Sequence, residues 1–437
     1  GGAAWTVADS LAELARLCET ARVRAVDATF QRADAANGQY LVGKGKIEEV
    51  ARKVLDHGAD AVVFDDELSL AQQRSVLAVL AEAGCDDKVQ ILDRTQLVLQ
   101  IFSERAQTRE AKAQIALARA EYMLPRLTTF LTGAAAGTDA KSGGRGAGGG
   151  AYLRGAGESQ LEMDRRLFGK RIAKLKAELG AIASKRAVAR SKKLDKEDLP
   201  LVALIGYTNA GKTSLLNALS EAAPLYADDR LFATLDPATR RVTLPSGRAC
   251  KLTDTVGFIQ KLPTKLVASF RATLEEIADA SADACLLVHV VDASSPLADG
   301  QMRAVYAILH ELDCFDMPQI TVYNKQDRVG GAPAPPGDDV ASATTLLDLM
   351  PPEADEVRVS CQDGTGIRPL LGYVDAALGK MNAKVHCLLP FDQGTLVEEI
   401  HRTATVDEVE HLAQGTRIVA RVPPSLEQRL RPFAVPV

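Results

Sequence analysis

The chain has 437 residues, of which 46% are hydrophobic and 25% are charged, and its formal net charge is −5. These values are ordinary for a globular protein of two to four domains, and no apolar run approaches the roughly 18 residues of a membrane helix, so we expect no membrane partner. The seven cysteines lie far apart without C-x-x-C spacing, which predicts buried thiols in a reducing compartment and excludes a disulfide framework. The expected location is the cytoplasm, or an organelle matrix or stroma after removal of a targeting peptide.

Residues 1–103 predict a small α/β domain. Helical patterns at 11–17 and 69–80 alternate with short strand-like runs at 61–64 and 89–92. Alternation of the 3.6-residue and the two-residue hydrophobic periods is typical of helices packed on a sheet.

The region 104–198 predicts a helical hairpin that projects like a finger. Two long helical stretches, 105–130 and 160–193, flank a loop at 133–157 that is rich in Gly and Ala. A loop of this composition does not fold alone. Apolar residues of the second stretch partly follow a 3,4 spacing, which suits an antiparallel helix pair. They are Leu161, Ile172, Leu175, Leu179 and Ile182.

The second helix of the hairpin is strongly basic, with eleven Lys and Arg against three acidic residues, a net charge of +8. A solvated helix face is one interpretation. Contact with a nucleic-acid backbone is favoured, because the whole chain is acidic and this segment is not. The basic residues are Arg165, Arg166, Lys170, Arg171, Lys174, Lys176, Lys185, Arg186, Arg190, Lys192 and Lys193, and the acidic ones are Glu162, Asp164 and Glu178.

Two glycine-containing runs in these regions do not predict nucleotide sites. The run 43–46, Gly-Lys-Gly-Lys, is either a phosphate contact or a solvated turn before a helix from Ile47, and the turn is favoured. The run 144–149 matches G-x-G-x-x-G, but no strand precedes it and no βαβ unit surrounds it, so we reject a dinucleotide site there.

The first strong functional motif is a G-x-x-x-x-G-K-[ST] loop between the apolar run 201–205 and a helical pattern at 214–219. This strand, loop and helix context is that of a P-loop, whose backbone N–H groups and helix dipole bind phosphates. Lys212 is expected to reach the β and γ phosphates and Thr213 to ligate Mg²⁺. The motif and the residue after it are Gly206, Tyr207, Thr208, Asn209, Ala210, Gly211, Lys212, Thr213 and Ser214.

A D-x-x-G motif follows the strand-like run 250–253. Asp254 is expected to hold Mg²⁺ through water, and Gly257 to give its backbone N–H to the γ phosphate. Upstream of this motif, Thr234 is the preferred switch threonine, whose hydroxyl joins Mg²⁺ only with the γ phosphate present. Thr239 is the alternative, and an ordinary turn threonine remains an interpretation of both.

An N-K-x-D motif at the end of the strand-like run 319–323 is the base-reading element of GTPases. The Asp327 carboxylate accepts guanine N1–H and NH₂ together, whereas adenine presents a lone pair at N1. Asn324 is expected to brace the loop and the Lys325 stem to cover the base. A looser match, Ser360, Cys361 and Gln362, follows the run 357–359 and is placed to meet guanine O6.

The catalytic set Lys212, Thr234 and Gly257 lacks a residue that orients water. The position after D-x-x-G, where many small GTPases have glutamine, is Phe258, which cannot hydrogen-bond water, so unaided hydrolysis is expected to be slow. GTPases with asparagine at the position of Asn209 often bind K⁺ beside the β and γ phosphates, which predicts a K⁺ site here.

The fold class predicted is α/β, with a P-loop GTPase domain at 199–380 whose mostly parallel sheet has helices on both faces. A buried strand at 285–291 belongs to this sheet, and 330–352 is an irregular insertion. A compact α/β tail domain at 383–437 follows, with strand-like runs at 385–390, 409–412 and 416–422 and helical patterns at 395–401 and 425–430.

Nearly the whole chain resembles the HflX family of ribosome-associated GTPases. The similarity is carried by long, unusual runs: 154–162 with 164–166, 254–259 with Leu262 and Pro263, 270–276, 91–95 and 102–106. The family's usual form of the first run has proline and threonine where Ala156 and Ser159 stand here. The glycine-rich insert is also longer than is typical.

The resemblance implies a protein that binds the large ribosomal subunit and its ribosomal RNA near the GTPase-activating centre. It also implies that this protein splits stalled or idle ribosomes, notably under heat stress. We expect the chain to be a monomer. The basic hairpin would enter the subunit along RNA, while GTP orders Thr234 and the segment after Asp254. Two alternatives stay open. One is a GTP-switched module that binds a protein partner, and the other is an ATP-dependent RNA-remodelling enzyme that acts through residues 1–103.

Overall fold

The computed structural model describes residues 5–32, 36–136, 150–193, 199–220, 231–233, 235–261, 285–329, 355–422 and 424–435. The described residues form two compact units. The first lies within Thr6–Ala189, and the second consists of Trp5 and the described residues from Arg190 onward. Within the described chain, every helix is too short or too polar to cross a bilayer.

The first unit begins with a small α/β arrangement in which two parallel strands are covered by helices. Ile47, Val54, Val76 and Leu80 pack with the partly buried strand residue Val62. All four elements predicted for this region are present. The elements are α1 (Val7–Thr20), α2 (Lys44–His57), β1 (Ala61–Phe64), α3 (Leu70–Glu82), β2 (Gln90–Asp93) and α4 (Arg94–Arg105).

The predicted turn at 43–46 is wrong in its bounds, because α2 already begins at Lys44 with Gly43 as its N-cap. The Lys46 ammonium lies 2.9 Å from the carboxylate of Glu49, three residues along the same helix. An i,i+3 ion pair of this kind helps to stabilise the first turn of the helix.

Buried charged side chains join the helices of the first unit. Arg94, with 2% of its side chain exposed, forms ion pairs with Glu13 of α1 and, at 2.7 Å, with Asp65. Asp93 is fully buried and accepts a hydrogen bond of 2.8 Å from the Tyr122 hydroxyl. Burial raises the pKa of Asp93, although its hydrogen bonds oppose that rise. We call these side chains, with Arg126, the charge network of the first unit.

The hairpin helices are α5 (Arg109–Ala136) and α6 (Gly150–Lys193). Both extend further than predicted, since the backbone at 133–136 and 150–157 is helical rather than loop. Residues 137–149, with the rejected G-x-G-x-x-G run, lie outside the described residues. Ion pairs of 2.7 Å between Arg109 and Glu178 and of 2.9 Å between Glu121 and Lys176 join the two helices.

The second unit contains a six-stranded sheet in the order β4-β5-β3-β6-β7-β8, parallel except for the antiparallel edge strand β4. The sequence did not predict β4. The predicted strands in this sheet are confirmed. The elements are β3 (Leu201–Gly206), α7 (Lys212–Leu219), β4 (Ala238–Thr243), β5 (Ala249–Asp254), β6 (Cys285–Asp292), α8 (Ala298–Glu311), β7 (Gln319–Asn324), β8 (Asp355–Arg358) and α9 (Ile367–Met381).

Helices cover both faces of this sheet. Alternate strand residues such as Val202 and Leu204 share one core with Leu215 of α7 and Leu370 of α9. The opposite face carries α8, whose Tyr306 ring meets the His289 ring of β6 at 5.1 Å between centroids. Because side chains alternate along a strand, this two-sided burial explains why the central strands are continuous apolar runs.

The tail forms a three-stranded antiparallel sheet in the order 405–412, 415–422 and 383–389, with both tail helices on one face. Ile418 and Ala420 of the central strand pack against Ile400 and Leu430 of those helices. The predicted tail elements are confirmed, while the domain boundaries stay predictions. The elements are β9 (Ala383–Leu389), α10 (Gly394–Thr403), β10 (Thr405–Leu412), β11 (Gly415–Val422) and α11 (Pro424–Leu430).

Candidate nucleotide site

The predicted motifs meet at one edge of the six-stranded sheet. Strands β3, β5, β6 and β7 are parallel, so their carboxyl ends lie together, where ligands of open α/β sheets bind. A cavity of about 770 Å³ opens there. Twelve of the predicted residues line it: Thr208, Asn209, Gly211, Lys212, Thr213, Ser214, Gly257, Asn324, Lys325, Asp327, Cys361 and Gln362.

Five predicted residues lie behind that lining, namely Gly206, Tyr207, Ala210, Asp254 and Ser360, and all five are buried. Thr234 lies outside the described residues. The cavity wall also includes residues that sequence reasoning missed: Asn217, Ala218, Phe232, Ala233, Thr255 and Arg328. Most of these residues belong to no recognised sequence motif, so only the fold shows that they lie at the site.

The P-loop backbone requires its glycines. Gly211 adopts φ +97°, and a Cβ there would overlap the Asn324 side chain. Gly206 adopts φ +148°, and its Cβ would overlap the carbonyl of Val290 on β6. Helix α7 begins directly after Gly211, so its N–H groups and positive dipole end face the cavity.

Lys212 is almost fully buried beneath the loop, with 6% exposure. Its ammonium donates to the carbonyl oxygens of Gly206 at 3.0 Å and Tyr207 at 2.9 Å. Burial lowers the pKa of Lys212 to about 8, and nearby Asp254 partly opposes that shift. A phosphate oxygen at this position would favour the charged form of the amine.

Two oxygen ligands suited to Mg²⁺ stand side by side at the floor of the site. The Thr213 hydroxyl donates to the Asp254 carboxylate at 2.7 Å, and Asp254 is fully buried at the end of β5, in register with Leu204. Hydroxyl and carboxylate oxygens fit the preference of Mg²⁺ for hard ligands. The alternative switch residue Thr239 lies on β4, with its hydroxyl 2.9 Å from that of Thr253.

The chain after Asp254 is packed closely on the P-loop. A Cβ on Gly257 would lie 2.9 Å from the Thr208 Cα and 3.1 Å from the Lys212 Nζ, so only glycine fits without displacement. The Phe258 carbonyl accepts the Thr208 N–H at 2.7 Å, and the Phe258 N–H donates to Gly206 at 3.0 Å. The Phe258 side chain is buried, with 4% exposure, and is not part of the cavity wall.

The N-K-x-D loop is bonded to the P-loop and to the loop after β8. Asn324 donates to the Ala210 carbonyl at 3.0 Å and accepts the Cys361 N–H at 3.3 Å. Lys325, with φ +64°, donates to the Asn209 carbonyl at 2.7 Å. The three loops therefore form one connected wall of the cavity.

Asp327 lines the cavity, and one of its carboxylate oxygens accepts the Ser360 hydroxyl at 2.7 Å. That bond orients the carboxylate, whose second oxygen lies 3.9 Å from the Arg328 guanidinium. Burial raises the pKa of the neighbouring Cys361 thiol to about 11, so the thiol stays neutral at pH 7. All seven cysteines are free, and six are buried while Cys361 is half-buried.

One site residue had a signal that the sequence analysis did not use. Asp292 ends β6, as Asp254 ends β5 and Asn324 ends β7. Its carboxylate lies 2.7 Å from the Lys325 ammonium and anchors the stem of that side chain. A polar residue that directly follows a buried parallel strand is the pattern that finds it.

Tyr207 places its side chain behind the P-loop. Its hydroxyl accepts the backbone N–H of Gln260 at 2.8 Å, and the residue is 4% exposed. The ring of Trp5 lies 6.3 Å from the Tyr207 ring, between centroids, and contacts Gly300 of α8.

One cavity is surrounded by a P-loop with a buried lysine, an aspartate beside the loop threonine and a guanine-reading N-K-x-D motif. These features define this chain as a P-loop GTPase. Three family models match it: the N-terminal region of GTP-binding GTPases at 8–103, their middle region at 105–193, and the 50S ribosome-binding GTPases at 201–325.

The chain is similar to the GTPase HflX of Lacrimispora saccharolytica, with 39% identity over 417 residues that cover 95% of this chain and 90% of that one. It is also similar to the GTPase HflX of Escherichia coli, with 36% identity over 408 residues, 92% of this chain and 86% of that one. A solved GTP-binding protein of Sulfolobus solfataricus in complex with GDP matches at 22% identity and TM-score 0.41, over 85% and 96%. The chain belongs to the HflX family of GTPases, which confirms the resemblance seen in the sequence.

Proposed function

We propose that this GTPase binds the large ribosomal subunit in its GTP-bound state and splits stalled or idle ribosomes, with hydrolysis serving release. The proposal is supported by the match of residues 201–325 to the family of 50S ribosome-binding GTPases. The middle region supplies the physical argument, since it offers a surface suited to RNA.

The observation that carries the proposal is the exposed basic face of α6. Arg165, Arg166, Lys170, Arg171 and Lys174 are exposed, whereas the apolar stripe of the same helix is half-buried from Ile172 to Ile182. Exposed cations on a chain of net charge −5 favour a polyanion, because each phosphate contact releases counterions. Binding through this face should therefore weaken steeply with salt.

The nucleotide site would work through six residues. Lys212 neutralises the β and γ phosphates, while Thr213 and Asp254 hold Mg²⁺, which neutralises phosphate charge when bound. Gly257 donates its backbone N–H to the γ phosphate, and Thr234 closes over the nucleotide. The Asp327 carboxylate selects guanine.

Efficient hydrolysis requires another group at the site, because the Phe258 side chain is buried and cannot orient the attacking water. We propose that K⁺ binds beside Asn209, whose side chain lines the cavity with φ +61° at its backbone. Phosphate release measured in K⁺ and in Na⁺ at equal ionic strength tests this. An equal rate in the two salts would remove the K⁺ site.

The test of the function is sedimentation with 70S ribosomes and with separated large subunits, in a non-hydrolysable GTP analogue, in GDP and without nucleotide. We expect co-sedimentation with large subunits in the GTP analogue alone, together with loss of intact ribosomes. Equal absence from the pellet in all three conditions would reject ribosome binding and favour the protein-partner module.

Two charge-reversal variants test whether ribosome binding depends on the exposed basic face of α6. The triple variant Arg165→Glu, Arg166→Glu and Lys170→Glu should abolish co-sedimentation while leaving GTP hydrolysis intact. The matched control reverses three exposed cations of the tail sheet, Lys384, Arg417 and Arg421, for the same total change in charge. Equal loss in the two triples would mean that net charge, not the α6 face, governs binding.

A further inference from the structure

The Tyr207 side chain gives the P-loop a contact that phosphate binding does not use. The loop residues that line the cavity offer a ligand their backbone N–H groups and the side chains of Asn209, Lys212 and Thr213. Tyr207 instead turns its ring into the protein and, through its hydroxyl oxygen, accepts the Gln260 N–H at 2.8 Å. A buried phenol needs a hydrogen-bond partner, and here that partner lies on the chain that follows D-x-x-G.

Three of the hydrogen bonds among the described residues join this chain, residues 258–260, to the P-loop. Two are backbone hydrogen bonds between Phe258 and the loop residues Gly206 and Thr208, of 3.0 and 2.7 Å. The third is the bond from Gln260 to the Tyr207 hydroxyl. The third comes from a side chain, so a substitution at Tyr207 can remove this bond while both backbone bonds stay possible.

Gly257 directly precedes this segment and lies close to Thr208 and to the Lys212 ammonium. A Cβ on Gly257 would lie 3.1 Å from that ammonium nitrogen. If the segment moved away from the loop, the Gly257 N–H would leave the neighbourhood of the lysine that binds the terminal phosphate. The bond from Gln260 to the Tyr207 hydroxyl therefore restrains Gly257, which lies three residues before Gln260 in the chain.

We propose that Tyr207 is a positioning residue for the γ phosphate, which holds the segment 258–260 against the P-loop and thereby sets the preference of the site for GTP over GDP. This rests on the proposed role of Gly257. GDP has no group at the Gly257 position, so its affinity does not depend on this tether. Holding a binding group in place before the ligand arrives reduces the ordering cost of binding.

The test is Tyr207→Phe, which removes the acceptor oxygen and keeps the buried ring. One hydrogen bond of this kind corresponds to roughly a 3- to 10-fold change in affinity. In isothermal titrations of the full chain, the non-hydrolysable GTP analogue should bind about 3- to 10-fold more weakly and GDP within about twofold of the parent. Tyr373→Phe, at an exposed tyrosine of α9, is the matched control.

The ratio of the two affinities separates positioning from a structural effect. Equal weakening of GTP analogue and GDP, no change in either, or tighter binding of the analogue would each overturn the proposal. A Gly257→Ala variant identifies the level of failure. If Gly257→Ala reduces the preference for the GTP analogue and Tyr207→Phe does not, the role of Gly257 stands and the tether is wrong. If neither changes it, the role of Gly257 fails as well.

Discussion

The two units of the molecule both bury charged side chains, and they use them in opposite ways. In the first unit, Arg94 pairs with Glu13 and Asp65, and Arg126 stacks on the Tyr122 ring at 3.4 Å. These groups face one another. In the second unit, the buried Lys212 lines a cavity of about 770 Å³, and bonds to the carbonyls of Gly206 and Tyr207 use two of the three donors of its ammonium.

Burial of charge therefore does not by itself mark a functional site. A buried ion that is satisfied by protein partners stabilises one arrangement of helices, and removing one partner leaves the other uncompensated. A buried ion at a cavity keeps part of its hydrogen-bonding capacity for a ligand. The comparison predicts that substitutions in the charge network change stability alone, and that substitutions at the cavity change nucleotide chemistry alone.

The largest effect is expected for Lys212→Ala. Loss of the ammonium beneath the loop removes the charge that stabilises the terminal phosphates, and kcat for GTP hydrolysis should fall on the order of 10³-fold. Phosphate release under saturating GTP measures this, with Lys380→Ala of α9 as the control. Activity within tenfold of the parent would contradict the assigned role.

Arg94→Met should lower the free energy of unfolding by about 3 kcal/mol, because Glu13 and Asp65 lose their shared partner. Urea unfolding followed by circular dichroism measures this loss, and the affinity for GTP should stay within about twofold of the parent. Arg22→Met is the control, since the Arg22 side chain is 82% exposed and its pair with Glu104 spans 3.9 Å. An unchanged midpoint in Arg94→Met would break the comparison between the units.

Asp327→Asn should weaken GTP binding by roughly 10²-fold, because an amide offers only one acceptor and its N–H₂ group opposes the guanine donors. The amide oxygen can keep the bond from Ser360, which isolates the effect on the base. Xanthosine triphosphate, with a carbonyl in place of the guanine amine, should bind better to the variant than to the parent. Equal loss for both nucleotides would mean that Asp327 supports the loop rather than reads the base.

The smallest effect concerns pH. Burial, with help from Lys212, lowers the pKa of His289 to about 3, from about 6.5 in the unfolded chain. Below pH 6.5, His289 binds a proton in the unfolded chain but stays neutral in the folded chain. The free energy of unfolding therefore falls as pH falls. The loss is about 1.4 kcal/mol per pH unit, or about 2 kcal/mol between pH 6.5 and 5.

His289→Phe should flatten this dependence, and His401→Phe, at an exposed histidine, should not. Urea midpoints at pH 7 and pH 5 give the comparison. A parent and a His289→Phe variant with the same change in midpoint would show that other groups govern the acid sensitivity of the second unit.

The sequence predicted the elements that precede each motif, because central parallel strands are apolar on both faces and end in polar or glycine residues. It missed β4, whose run Ala238–Thr243 contains two arginines and one large apolar residue, so the edge strand carries little periodicity. The sequence analysis also assigned to the hairpin loop some residues that are helical in the structure, because the many glycines at 144–157 lower intrinsic helix propensity.

Contacts between distant parts of the chain were beyond local reasoning. Nothing near Arg94 in sequence indicates burial, because its partner Glu13 is 81 residues away. The Tyr207 side chain looked like one more loop residue, and only the packing of 258–260 on the loop reveals its partner. Conversely, Asp292 was accessible to sequence reasoning, since its position after β6 repeats that of Asp254 after β5.

Trp5 is the single tryptophan of the chain and lies 6.3 Å from the Tyr207 ring, between centroids, in the second unit. All indole emission of the protein thus originates from one ring beside the P-loop. A fluorescence unfolding curve therefore records loss of structure around the nucleotide loop, whereas circular dichroism records the helices and strands of both units. Midpoints from emission and from circular dichroism that differ would show that the two units unfold separately, without any label attached to the protein.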